Sequence, residues 1–319
     1  MLPHLIDVLD AARTIAPYVT RTPLELSPAF SRETGAEVYL KPEMLRETRA
    51  FKIRGAFNFM ARLSPEQRAR GVVAASGGSH AAGVAYAARR LGIDATIVMT
   101  ERSSANLRQI CRDYGAEVIV AGQVYDDAHE RSCQIARETG AVPIHSYNDP
   151  FIVAGQGTVG LEILQELPTV DAILVPVGGG GLVSGVGLVA KSINPGIRVI
   201  GVEPAGAASM TAALLAGQVV RLENVGSIAD KLVTRSVGEL NLALAKQYCD
   251  EVVLVDEEAI RQAMRDLLTS HGLLAEGAAA ASLAALRQKA AELKGRRVAL
   301  ILTGGNIAPE VLAGVLGAS

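Results

Sequence analysis

Apolar and polar positions change their period repeatedly along the chain, and each change marks an element. Ile6 to Ile15 keeps helical spacing, with Pro17 closing it. Thr20-Arg21-Thr22-Pro23-Leu24 reads as extended, because a residue before proline avoids the helical region. Glu37 to Lys41 is a short strand ended by Pro42, and the stretch Phe51 to Asn58 leads into a helix reaching Leu63. Ser64-Pro65-Glu66 opens a further helix, serine as cap and proline at the first position.

A regular alternation follows. Strands are predicted at Val72–Ala75, Ala95–Met99, Glu117–Val120 and Ala141–Ile144, separated by helices at Ala81–Leu91, Ser104–Tyr114 and Val124–Glu138. A second alternation starts after Pro150: helix Gly157–Leu167, strand Ala172–Val177, helix Leu182–Ser192, strand Arg198–Val202 and helix Ala207–Leu215. It continues with strand Glu251–Val255, helices Glu257–Ser270 and Ala278–Lys294, and a last strand Arg297–Leu302. The pattern predicts an α/β fold of two lobes, each a mostly parallel twisted sheet with helices on both faces. Ligands in such folds bind beyond the carboxyl ends of strands. Three glycine-bearing strand ends offer themselves there, at 76–79, 178–181 and 303–305.

The richest is Val177-Gly178-Gly179-Gly180-Gly181-Leu182, between a buried strand and a small-residue helix. Four glycines gather backbone N–H groups with no side chain in the way, and at a helix N-terminus such a cup suits a phosphate. A merely flexible loop is the plainer alternative. The dinucleotide pattern G-x-G-x-x-G fails in every frame, and a Walker-type loop fails because Ala190 stands where glycine should precede Lys191. The phosphate therefore belongs to a different kind of ligand.

Composition narrows the field. The 319 residues allow one large domain or two modest ones, and no apolar run approaches the roughly 20 residues of a membrane span. The N-terminus lacks a signal-peptide layout, and three widely spaced cysteines suggest neither a disulfide framework nor a metal knuckle, so a reduced cytoplasmic setting is expected. A net charge of -2 argues against nucleic acid, and the absence of tryptophan disfavours base stacking.

Lys52 stands between Phe51 and Ile53 in an apolar, helix-like stretch. One reading is a lysine that snorkels to the surface. The other is a buried amine whose pKa falls, which suits a Schiff base. Beside an anion cup, two more glycine turns and the Thr303 hydroxyl, the second reading gains, and together these groups suit pyridoxal 5'-phosphate.

At this point the chain resembles the fold-type-II pyridoxal-phosphate enzymes of the threonine/serine dehydratase and serine racemase group, tryptophan synthase β-like in fold. The resemblance runs from Thr20-Arg21-Thr22-Pro23-Leu24 to Thr303-Gly304-Gly305-Asn306. Phe51-Lys52-Ile53-Arg54-Gly55-Ala56 is similar to the cofactor-lysine motif, which implies Lys52 as the catalytic residue with Phe51 beside the cofactor. Gly178 to Leu182 resembles the tetraglycine phosphate loop, and Thr303 falls where the family places a hydroxyl or thiol facing the ring nitrogen. Ser76-Gly77-Gly78-Ser79-His80 resembles the turn that holds the substrate carboxylate. The resemblance also implies a large domain of residues 1–64 and 150–319, a small mobile domain of 65–149, a homodimer, and the short form without a regulatory domain.

Several positions depart from the family pattern. Ser79 replaces an asparagine that contacts the cofactor ring, so that contact is altered or left to the shorter hydroxyl. Gly77 replaces a racemase serine, so efficient racemisation is not expected. Lys231, in Ile228-Ala229-Asp230-Lys231-Leu232, stands where a glycine usually lies against the ring; it either points away or brings a second cation to the substrate. Glu203 matches a racemase metal ligand but Ser209 replaces its aspartate partner, so no metal is expected. His80 reads as structural, and Glu276 as a polar anchor or a cap.

The expected activity is α,β-elimination from a β-hydroxy amino acid, L-threonine or L-serine by default, giving a 2-oxo acid and ammonia. The alternatives are a lyase for hydroxyaspartate, phenylserine or diaminopropionate, a serine racemase, or a ligand sensor built on the same fold.

Overall fold

Ten strands form two sheets in the computed structural model, which describes residues 2–317. They are Glu25–Leu26 (β1), Glu37–Pro42 (β2), Val72–Ala75 (β3), Ala95–Met99 (β4), Glu117–Val120 (β5), Val142–Pro143 (β6), Ala172–Pro176 (β7), Arg198–Pro204 (β8), Glu251–Val255 (β9) and Arg297–Leu302 (β10). The larger sheet has the order β1-β2-β10-β7-β8-β9, parallel except for the edge strand β1. The smaller sheet, β5-β4-β3-β6, is entirely parallel. In the larger sheet the last strand enters between β2 and β7, pairing Val298 with both Val38 and Ala172. That insertion brings Thr303, just after β10, to the same end of the sheet as Gly178, just after β7. β7 is buried at every position, as a strand covered on both faces must be.

One face of the larger sheet packs on the alanine-rich helix Gly277–Gln288, and the other on helices Pro150–Glu166 and Gly181–Ile193. The smaller sheet shares a core with Ile53, Phe57 and Met60 of the helix Ile53–Met60, and with Ile15 and Val19. Its hydrophobic support thus extends beyond residues 65–149.

The helix expected at Gly157–Leu167 runs instead from Pro150 to Glu166. Asp149 accepts from the amides of Phe151 and Ile152, and Pro150 supplies the first helical position. Gly155, Gly157 and Gly160 lower helix propensity, which hid the first two turns. Their value is close approach: a Cβ on Gly155 would lie 2.6 Å from the Cα of Gly55. Three helices have no counterpart in the sequence reading, at Pro28–Thr34, Glu239–Tyr248 and Pro309–Leu316. The helix expected over Ala278–Lys294 breaks at Lys289, and the strand expected at Ala141–Ile144 pairs only at Val142–Pro143.

Candidate active site

Lys52 immediately precedes the helix Ile53–Met60, and two sets of bonds fix that point in space. Upstream, the Phe51 amide donates to the Thr303 carbonyl at 3.1 Å and Ala50 bridges Gly304, stitching the lysine segment to the turn after β10. Downstream, Arg54 is fully buried. Its guanidinium donates to both oxygens of Glu43 at 2.9 Å and to Glu162 at 2.6 and 2.7 Å. Thr158 accepts a further bond from Arg54 at 2.8 Å. Arg46 and the Thr22 hydroxyl also donate to Glu43, and Lys41 pairs with Glu162 at 2.9 Å. Burial alone would raise the Glu43 carboxyl, but Arg54 and Arg46 outweigh it and hold the group well below the usual carboxylate range. Buried charges are tolerated when paired this completely, and bidentate guanidinium bonds fix orientation as well as charge.

The Lys52 amine donates to the Ser146 carbonyl at 3.0 Å and lies 5.2 Å from the centroid of the Phe51 ring. Among the described residues no carboxylate pairs with it, and burial pushes it down to about 8.

The amine opens into a cavity of about 470 Å³. Every candidate from the sequence lines it: Phe51 and Lys52, Ser76 to His80, Gly178 to Leu182, Lys231 and Thr303, with Glu276 beside them. In the glycine loop, Gly180 has φ +93°, a left-handed conformation that side chains resist. The Gly179 carbonyl is held by Asn241 Nδ2 at 2.7 Å and by the Gly238 amide at 3.2 Å. Carbonyl bracing of this kind leaves the first amides of the helix Gly181–Ile193, which have no acceptor inside their own helix, free for an anion. The Thr303 hydroxyl is buried without a hydrogen-bond partner among the described residues.

Gly78 caps the helix Ser79–Leu91, and Ser79 and His80 at its start line the cavity as well. The Ser79 hydroxyl accepts from Asn306 Nδ2 at 3.2 Å, so the shorter side chain at this position is tied to the turn after β10. His80 is buried, with neither ring nitrogen bonded among the described residues; burial, with Lys52 nearby, pushes it down to about 3 and keeps it neutral. Glu276 is buried and accepts from the Asn306 amide at 3.0 Å. Burial pushes its carboxyl up to about 7, with Lys231 working against the rise. Of the two orientations open to Lys231, the structure has the stem in the cavity: its Cδ lies 3.2 Å from where a Cβ on Gly78 would stand. The Glu203 carboxylate accepts from the amides of Met210 and Thr211 at 2.6 and 3.0 Å and from the Thr211 hydroxyl at 2.8 Å, capping the helix Ser209–Ala216.

Sequence reasoning missed Ser146, Tyr147 and Asn241. Tyr147 leaves no room for a side chain at Gly179, its ring 2.3 Å from that Cβ position. None of the three carries a local signal, because each acts from an element distant in sequence. Arg54 did carry one, a charge inside an apolar helical stretch beside the lysine.

These residues fit a molecule with an aldehyde at one end, a phosphate at the other and a ring nitrogen between. Lys52 has an amine without a counter-ion, the glycine loop has free amides, and Thr303 has an unspent hydroxyl. Pyridoxal phosphate has that composition. The family model described as pyridoxal-phosphate dependent enzyme matches residues 15–304. An L-threonine ammonia-lyase of Thermotoga maritima is 47% identical over 303 residues, which is 95% of this chain and 75% of that protein. The structure of maize serine racemase superposes with a TM-score of 0.94 at 36% identity, covering 99% of this chain and 98% of that one. The processed form of threonine deaminase isoform 2 from Solanum lycopersicum gives a TM-score of 0.95 at 34% identity, covering 99% and 92%. With a family match from residue 15 to residue 304 and relatives this similar over nearly its whole length, the chain belongs to the pyridoxal-phosphate-dependent enzymes.

Proposed function

We propose that this pyridoxal-phosphate-dependent lyase converts a β-hydroxy amino acid, L-threonine or L-serine by default, into a 2-oxo acid and ammonia. The observation that carries the reading is the Lys52 amine, pushed down to about 8 with no carboxylate to hold it, in one cavity with the glycine loop and Thr303. The relatives named as threonine ammonia-lyase and threonine deaminase support the same choice of substrate.

When bound, the cofactor supplies an electron sink that acidifies the Cα–H bond. Gly178, Gly179, Gly180, Gly181 and Leu182 would hold the phosphate through their amides, and Phe51 would lie beside the ring. The neutral Thr303 hydroxyl would face the ring nitrogen and would not protonate it, and the Ser79 hydroxyl would stand at the substrate end. The turn Ser76-Gly77-Gly78-Ser79-His80 binds the substrate carboxylate at a helix N-terminus. Lys52, as a neutral amine, takes the Cα proton, and the hydroxyl departs from Cβ as water. Neutral His80 keeps a second cation away from the amine. Glu203 spends its carboxylate on a helix end rather than offering it to a cation.

Residues 65–149 act as the small domain, closing over the domain of 1–64 and 150–319 and excluding water. Cytoplasmic residence is supported by three free cysteines, and no helix among the described residues is long and apolar enough to cross a membrane. A homodimer follows from the resemblance alone.

The test is spectroscopic and then chemical. Purified protein given pyridoxal phosphate should show an absorbance band that Lys52→Ala abolishes while the fold is retained. 2-Oxo acid release from L-threonine or L-serine should vanish with it. A colourless wild-type protein defeats the reading. A coloured one inactive on every β-substituted amino acid leaves the sensor.

A further inference from the structure

None of the steps above uses Lys231. It lies in a single 3-10 turn, Asp230–Leu232, whose backbone rests on the phosphate loop: the Lys231 carbonyl is 3.2 Å from where a Cβ on Gly178 would stand. From there the side chain crosses to the substrate turn, Cδ and Cε at 3.2 and 3.5 Å from the corresponding point on Gly78. The amine is therefore carried from the wall that holds the phosphate toward the turn that holds the substrate carboxylate.

Two carboxyl groups attend it. Asp230 pairs with the amine, but 63% of its side chain is exposed, and such solvated pairs are weak. Glu276 is the inner one, buried at 4% exposure and within electrostatic reach of Lys231. Its one backbone donor is the Asn306 amide, and burial pushes the carboxyl up to about 7, so it retains a proton for a large part of the time near neutrality. An ammonium and a carboxyl proton donor thus face one space from two walls. In a cleft partly shielded from solvent such groups hold an anion more strongly than they would in water.

We propose that Lys231, with Glu276 beside it, admits β-hydroxy amino acids whose side chain ends in a carboxylate, in addition to the neutral default substrates. The α-carboxylate is already served by the amides at the start of the helix Ser79–Leu91, which leaves the Lys231 ammonium for a second one. For 3-hydroxyaspartate the Cα–H, Cβ–O and C–N bonds break, and the water lost on elimination is regained on hydrolysis. Oxaloacetate and ammonia are the balanced products, with no oxidant or reductant. This substrate class rests on the lyase reading.

The experiment compares wild type, Lys231→Gly and Lys231→Met holoenzymes. The ratio of kcat/KM for threo-3-hydroxyaspartate to that for L-threonine should fall roughly tenfold or more in both variants, the loss typical of a charge-assisted hydrogen bond. Malate and lactate, which lack the amino group, supply a readout without turnover: malate should raise the Tm of the wild type more than lactate does, and should lose that advantage in both variants. Should Lys231→Gly fail to fold, Lys231→Met keeps the stem against Gly78 and carries the test. An unchanged substrate ratio, or equal shifts with malate and lactate in the wild type, overturns the proposal. A malate-specific shift that needs Lys231, in a protein that turns over no β-hydroxy amino acid, would instead count against the lyase reading and leave the carboxylate site standing.

Discussion

The side chain of Asn306 joins two ends of the cavity: its Nδ2 donates to the Ser79 hydroxyl at 3.2 Å and to the Thr48 carbonyl at 3.0 Å. Ser79 is the first residue of the helix Ser79–Leu91, whereas Asn306 belongs to the turn that carries Thr303. The bond is therefore a direct link between the two sheets. Ser79→Ala removes the acceptor. A neutral hydrogen bond contributes about 1 kcal/mol, so Tm should fall by only a few degrees. KM for the amino acid should rise more than stability suggests, because the substrate turn loses its tether. Thermal unfolding and steady-state kinetics on the same preparation check both.

Cofactor uptake should depend on pH through Lys52. The amine must be neutral to attack an aldehyde, and in the unliganded protein burial brings it down to about 8. Below that pH the neutral fraction falls about tenfold per pH unit, and above it the fraction saturates. The rate at which the absorbance band appears after pyridoxal phosphate is added should rise from pH 6 to 8 and level off beyond. A rate still climbing steeply at pH 10 would belong to a solvated lysine.

Gly155→Ala should be severe for so small a change. The added methyl would stand 2.6 Å from the Gly55 Cα and 2.8 Å from the Arg54 carbonyl, both backbone atoms that cannot turn aside. Overpacking of this kind costs about 1–3 kcal/mol or more. The helix it displaces is the one that Lys52 precedes, so cofactor affinity should fall together with Tm. A surface substitution of equal thermal cost should leave affinity alone, which makes the pair a useful comparison.

Racemisation should not be restored by Gly77→Ser. A Cβ at residue 77 would lie 2.5 Å from the Ser103 hydroxyl oxygen, so Ser103 must turn away from its contact with Thr100 before the new side chain fits. The double substitution Gly77→Ser with Ser103→Gly clears the space. Prolonged incubation with L-serine, followed by chiral chromatography, should show D-serine accumulating faster with the double variant than with either single one.

Much of this architecture is legible before any coordinates. The period-two and period-3.6 patterns announce an α/β fold, and the lysine and the tetraglycine run stand out because each breaks its local pattern, whereas Thr303 is assigned by the family resemblance. What escaped was whatever depends on distant contact. Gly155 and Gly157 argue locally against a helix, and only the opposing backbone of Gly55 and Gly185 explains why a helix forms there. Asn241 gives no sign that it will brace a carbonyl 62 positions away. Lys231 was open to two orientations, because a side chain's direction at a one-turn helix is set by its neighbours. Glu203, which a ligand pattern would assign to a cation, accepts from the amides of Met210 and Thr211, contacts that the sequence does not announce.

The guanidinium of Arg54, gripped by carboxylates from two separate segments, has one more consequence. It anchors the floor under residue 52 to two other segments of the chain. On the small-domain reading proposed above, movement would fall to the opposite bank, where Asn306 reaches across to the Ser79 hydroxyl.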